Sequence, residues 1–154
     1  MKTYDLIVLG AGSGNSIPGG ELAHLRTAVV DPSRFGGTCL NRGCIPSKMF
    51  VVTADVARSA REAARLGVNA HLDGVDWKAV RDRVFGRIDP LHLAAVTYRQ
   101  ENGVDVYSGA ARFVSPKVLE VDGELLTADQ IVVAVGARPI VPDLPGLDRV
   151  PFQT

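Results

Sequence analysis

The 154-residue chain carries no net charge, since lysine plus arginine match aspartate plus glutamate at 17 each. That balance argues against the basic surface that nucleic acid or an anionic membrane would need. Long apolar runs are missing too. Near the amino terminus only Leu6–Leu9 is continuously apolar, after Lys2 and Asp5, too short for a signal-peptide core, and no run approaches a membrane span. A cytoplasmic protein is expected. Cysteine is scarce, with two in all, and in that compartment such a pair is catalytic, metal-binding or redox-sensing rather than a structural staple. Zinc is the weaker of these readings, because its ligands would have to include His24, His71 or His92, none at recognisable spacing. No internal repeat is visible. With 46% hydrophobic and 22% charged residues, the chain has the composition of one globular domain able to bury a core.

The order of elements points to an α/β fold. Tyr4–Leu9 reads as a buried first strand running into Gly10-Ala11-Gly12-Ser13-Gly14, a phosphate-binding turn. Ala28–Val30 reads as a second strand, stopped by Asp31-Pro32. Gly10 and Gly12 match the first two glycines of the dinucleotide fingerprint, and Asp31 stands where an acid should grip a ribose. Asn15 replaces the third small residue. The crossover between the strands contains Pro18-Gly19-Gly20, where a proline costs about 3 kcal/mol and each glycine about 1 in a helix. A full-length helix is not expected there, although a short amino-terminal piece could remain to bind an anion.

Further on, Val52, Val56, Ala60 and Ala63-Ala64 recur at helical spacing until Gly67. Asp76 should cap a second helix with an apolar face of Trp77, Val80, Val84 and Ile88, kinked or broken at Asp89-Pro90. Val104–Tyr107 reads as a parallel strand. Residues 111–114, 118–121 and 124–126 form an antiparallel meander, and Ile131–Val135 a separate buried strand. The prolines at 139, 142, 145 and 151 mark an extended tail, dividing the chain into 1–138 and 139–154.

Both cysteines fall in Gly36-Gly37-Thr38-Cys39-Leu40-Asn41-Arg42-Gly43-Cys44-Ile45-Pro46-Ser47-Lys48. On a regular helix residues five apart lie about 8 to 9 Å between Cα atoms, beyond the ~7 Å reach of a disulfide. If the sulfurs bond, the segment must bend, and Gly43 supplies the freedom to do so. A loop this small removes little unfolded-chain entropy, so reducibility rather than stability would be the purpose of the bond.

This stretch resembles, almost letter for letter, the redox-active motif of the flavoprotein disulfide reductases, the group holding glutathione reductase, dihydrolipoamide dehydrogenase and mercuric reductase. Gly12–Ser16, Lys48–Val51 and Phe85–Pro90 resemble its mycothione-reducing branch more narrowly. The resemblance implies a Rossmann-like FAD-binding domain, a parallel sheet with helices and a small meander. It implies catalytic roles for Cys39, the interchange thiol that attacks the substrate disulfide, and Cys44, the thiol against the flavin. Lys48, on composition alone a solvated helix lysine, becomes a cation beside the flavin ring, partnered in the family by a glutamate from a later segment.

FAD would be held by Gly10, Gly12, Ser13, Gly14, Asp31, Gly37, Thr38 and Lys48, with a backbone contact at Ala111 and a strand-end glycine at Gly136. Val135 stands where many members have threonine. The histidines match no family base and read as satisfied or surface groups. The NADPH domain, a second FAD segment and the homodimerisation domain with the base histidine would lie in parts of a longer enzyme. The relay implied runs from NADPH to FAD to the cysteine pair to mycothione. Dihydrolipoamide dehydrogenase or mercuric reductase is the alternative within the group, and a non-catalytic flavin-binding or redox-sensing module the alternative outside it.

Overall fold

The computed structural model describes residues 1–152. Its centre is a six-stranded sheet in the order β3-β2-β1-β6-β5-β4, formed by β1 (Lys2–Leu9), β2 (Thr27–Val30), β3 (Asp105–Tyr107), β4 (Ala111–Ser115), β5 (Val118–Val121) and β6 (Glu124–Val133). Strands β3, β2, β1 and β6 run parallel, while β4, β5 and the first residues of β6 pair antiparallel. This is the α/β, Rossmann-like architecture expected.

Leu6, Ile7, Val8 and Leu9 are all buried, as befits a strand covered on both faces. On one face Tyr4, Ile7, Leu9, Ala28 and Val30 pack with Leu119, Val121, Leu126 and Ala128 of β5 and β6. On the other Leu6, Val8, Ala11, Val29 and Phe35 meet Ala95 and Val96 of a long helix. Each fully buried aliphatic side chain contributes about 1.5–3 kcal/mol, so both faces hold the carboxyl ends of β1 and β2 in place.

Among the described residues three α-helices complete the fold: α1 (Gly37–Asn41), α2 (Cys44–Glu62) and α3 (Trp77–Glu101). Asp76 caps α3 by accepting the Ala79 N–H at 3.0 Å. Of the kink or break expected at Asp89-Pro90, the break does not occur: α3 runs through Pro90. Proline removes one intrahelical hydrogen bond, but buried Val84 and Ile88 before it and Ala95 and Val96 after it anchor both halves.

The sheet differs from expectation as well. The last meander strand and the strand at 131–135 are one strand, β6, which ends at Val133 with Ile131 and Val132 half-buried. No glycine or proline interrupts Thr127–Gln130, so β6 runs unbroken between β5 and β1, pairing with β5 over 124–127 and with β1 over 126–133.

The crossover from β1 to β2 holds only two 3-10 turns, Ser13–Ser16 and Gly20–Leu22. The helix that would offer a dipole to an anion is therefore missing, as Pro18-Gly19-Gly20 foretold. Val52 and Val56, which recur at helical spacing, and Trp77, read as part of an apolar face, are exposed. Trp77 lines a groove of about 700 Å³ between α2 and the start of α3, where Phe50 stacks on it at 5.2 Å. From residue 139 to 152 the only regular element is the 3-10 turn Leu147–Arg149. Gln153 and Thr154, the end of the expected tail, lie outside the described residues.

Candidate functional site

The glycine turn leaves β1 at the carboxyl edge of the parallel strands, where α/β folds bind ligands. Gly10 has a φ of 109°, and a β-carbon there would lie 2.2 Å from the Ala134 carbonyl oxygen. A β-carbon on Gly14 would strike that of Ala134. Ala134 thus packs the end of β6 onto the turn, tied also by its N–H to the Leu9 carbonyl at 2.8 Å. Gly14 supplies the close packing usually left to the third small residue of the fingerprint.

Gly12 faces the start of the cysteine segment. A β-carbon on Gly12 would meet Gly37 Cα at 3.6 Å, and one on Gly37 would meet Gly12 Cα at 2.5 Å. The Gly36 N–H donates to the Ala11 carbonyl at 2.8 Å. Two segments that the sequence reads separately, the nucleotide turn and the redox motif, are in backbone contact. Ser13 and Thr38, on the two sides of this junction, are exposed.

Asp31 is buried at the end of β2. One carboxylate oxygen accepts the Ala11 N–H at 2.6 Å, and the other accepts the Ser33 N–H and hydroxyl at 2.8 and 2.6 Å. A carboxylate has about four acceptor sites, so a ribose hydroxyl can still donate to it while it braces the turn.

Cys39 lies in α1 and Cys44 opens α2, both exposed free thiols. Gly43 eases their approach. A β-carbon there would sit 3.0 Å from the Thr38 carbonyl oxygen and 3.4 Å from Cys39 Cα, so a side chain would make α1 and α2 give way by a few tenths of an ångström. The interaction with Cys44 raises the pKa of Cys39, with slight desolvation adding to it. Cys39 therefore keeps its proton more tightly than a free thiol and needs a base to become a strong nucleophile. Cys44 stands at the amino terminus of a 19-residue helix, where the helix dipole favours negative charge. Lys48, four residues on, shares that face of α2 and is exposed.

Asn41, between the cysteines, directs its amide nitrogen to the carbonyls of Arg34, Phe35 and Gly37 at 3.3, 3.1 and 2.9 Å. Its amide oxygen is buried without a hydrogen-bond partner. Ala111 opens β4 opposite Val121, three places from β1 in the sheet order. It follows the loop leaving β3, whose Tyr107 carbonyl accepts the Asp31 N–H at 3.0 Å, so that loop starts at the turn's edge of the sheet. Gly136 lies beyond β6 with a φ of 74° and open space around it.

Three residues of α3 reach the site, and no spacing in the sequence points to their contacts. Arg99 donates through Nε to Asn15 Oδ1 at 2.5 Å, through Nη2 to the Asn15 carbonyl at 3.3 Å and through Nη1 to the Ala95 carbonyl at 2.9 Å. Burial lowers the pKa of Arg99. Asn15, out of place as a packing residue, is thus the anchor of the glycine turn to α3. His92 Nδ1 accepts the Phe35 N–H at 2.8 Å, and Asp89 pairs with Arg34 at 2.8 Å. His92 is a satisfied group, but its partner is the segment leading into the redox motif.

Among the described residues no helix is long and apolar enough to cross a membrane, and no three His, Cys, Asp or Glu side chains gather as metal ligands. The arrangement fits a dinucleotide with a redox-active ring. Its marks are a side-chain-free backbone where Gly12 meets Gly37, an acid with one acceptor site left at the end of β2, and a thiol pair opening from the same junction.

Comparison with known proteins finds relatives over nearly the whole chain. The chain is 48% identical to mycothione reductase of Mycobacterium tuberculosis over 92% of its own length and 32% of the relative's. It is 34% identical to dihydrolipoyl dehydrogenase of Bacillus subtilis (94% and 33% of the two chains) and 34% identical to glutathione reductase of Nostoc sp. (94% and 32%). The chain thus spans about a third of the length of these relatives. Residues 4–153 match the model of the pyridine nucleotide-disulphide oxidoreductases, and the chain belongs to that family.

Proposed function

We propose that this chain is the FAD-binding and redox-dithiol portion of an NADPH-dependent disulfide reductase whose substrate is mycothione. The observation that carries the reading is the backbone contact between Gly12 and Gly37. It makes the nucleotide turn and the cysteine pair one site.

Gly10, Gly12, Ser13 and Gly14 would carry the pyrophosphate, Asp31 the ribose, and Gly37, Thr38 and Lys48 the ring side, with Ala111 and Gly136 contributing backbone. FAD, when bound, supplies the two electrons that it has accepted from NADPH. In the dithiol state the Cys39 sulfur gives up its proton and attacks one sulfur of the substrate disulfide, releasing the first product thiol and leaving a mixed disulfide. Cys44 then attacks Cys39, expels the second product thiol, and closes the Cys39–Cys44 disulfide. Two electrons and two protons have moved from the cysteine pair to the substrate, and the pair must be reduced again. Lys48, on the face of α2 that Cys44 occupies, holds positive charge where negative charge develops.

The 48% identity to a mycothione reductase favours mycothione over lipoamide or glutathione disulfide. Residues 1–138 would be the first FAD segment and 139–154 the connection to an NADPH-binding part, in a cytoplasmic homodimer. The test is NADPH oxidation by the protein translated from the whole gene, assayed with each disulfide and with mercuric ion. Preference for mycothione, abolished by Cys39→Ser, is expected. Preference for lipoamide or mercuric ion would move the protein to another branch, and a folded, flavin-bound protein inert toward all would leave a redox-sensing module.

A further inference from the structure

The segment Arg34–Gly37 carries the chain from β2 into α1, and its backbone decides where Cys39 sits. Phe35 is fully buried among Val8, Val29 and their neighbours. The next two residues make the contacts with Ala11 and Gly12. The Phe35 N–H donates to α3, where His92 Nδ1 accepts it at 2.8 Å. The two rings lie 6.2 Å apart, tilted by 50°. An imidazole nitrogen that accepts carries no proton, so His92 is the neutral tautomer with its proton on Nε2. Arg34 fixes the same segment by its ion pair with Asp89 and its donation to the Asp89 carbonyl at 3.2 Å. That contact is exposed, where ion pairs contribute little, whereas the Phe35–His92 bond is partly buried.

We propose that His92 is a positioning residue for the cysteine pair. By accepting the Phe35 N–H it fixes the peptide that precedes Gly36-Gly37, and so sets the position of Cys39 against Cys44 without touching either sulfur. The proposal rests on the reading of Cys39 and Cys44 as a working redox pair. Holding two thiols at bonding distance raises their effective concentration toward each other, so loss of the brace shifts the equilibrium toward the open dithiol.

The test is equilibration of the chain with glutathione redox buffers, without FAD or NADPH, for wild type, His92→Asn, His92→Leu and His92→Phe. Asparagine keeps an acceptor on the γ-carbon, while leucine and phenylalanine keep bulk without one. The acceptorless variants should lower the equilibrium constant for the intramolecular disulfide about tenfold, a rise of about 30 mV in potential, and His92→Asn should recover most of it. Nitrogen-15 spectra of wild-type imidazoles should show the Nε2–H tautomer for His92, with a Phe35 amide slow to exchange. A proton on Nδ1, a fast-exchanging Phe35 amide, or a folded acceptorless variant within twofold of wild type overturns the proposal. Failure of the wild type to form the disulfide at all would instead overturn the parent reading, and this one with it.

Discussion

The junction of Gly12 and Gly37 makes a demanding prediction, because one contact viewed from its two sides gives opposite outcomes. In Gly37→Ala the new methyl lies 2.5 Å from Gly12 Cα and 3.3 Å from Gly12 N, and the residue must keep a φ of 59°. The left-handed conformation costs an L-residue about 1–2 kcal/mol, and forcing a methyl into packed backbone about 1–3 more. The sum is about 2–5 kcal/mol. With a urea m value of about 2 kcal/mol/M, the unfolding midpoint should fall by about 1–2.5 M.

In Gly12→Ala the methyl meets Gly37 Cα at 3.6 Å, ordinary contact, and φ is −85°. Stability should stay within about 1 kcal/mol, but the methyl occupies the space through which a pyrophosphate must reach the backbone. FAD affinity should drop about tenfold or more, about 1.4 kcal/mol per decade, in a chain that unfolds almost as wild type does. Urea unfolding followed by circular dichroism, together with FAD titration, reads both effects. Equal midpoints for the two variants, or undiminished FAD affinity in Gly12→Ala, would refute the reasoning.

Two further outcomes follow from the site. Arg99→Met strands the buried Asn15 amide oxygen, which should cost about 1–3 kcal/mol, weaken FAD binding and show coupling with Asn15→Ala in a double-mutant cycle; Arg99→Lys should recover little, because one ammonium cannot reproduce the forked contact. Cys44→Ala removes the neighbour that raises the Cys39 pKa, so the Cys39 thiolate fraction at neutral pH should rise. Its alkylation by iodoacetamide should then run faster than in the reduced wild type; an unchanged or slower rate would contradict the assigned cause.

Local features of the fold were legible because each has a local cause. The β1 strand and its glycine turn, the Asp76 cap, the broken crossover and the approach of the cysteines through Gly43 all follow from residues adjacent in sequence. What escaped depends on partners far along the chain. Pro90 stays helical because side chains on both sides of it are anchored, and β6 continues because β1 pairs with it from Leu126 to Val133, past the end of its pairing with β5 at Thr127. Val52, Val56 and Trp77 keep helical periodicity while exposed, since periodicity tells which residues share a face and not what lies against it. The contacts of Arg99 with Asn15 and of His92 with Phe35 span 84 and 57 residues, and no spacing rule reaches so far.

The central claim, that the glycine turn and the cysteine pair form one flavin site, is tested most directly by the visible spectrum of the chain saturated with FAD and then reduced at the disulfide. Protein-bound flavin absorbance is expected, with a long-wavelength charge-transfer band that disappears in Cys44→Ser and persists in Cys39→Ser. A chain that binds no flavin at saturating FAD, or a band that follows Cys39 instead of Cys44, would contradict it.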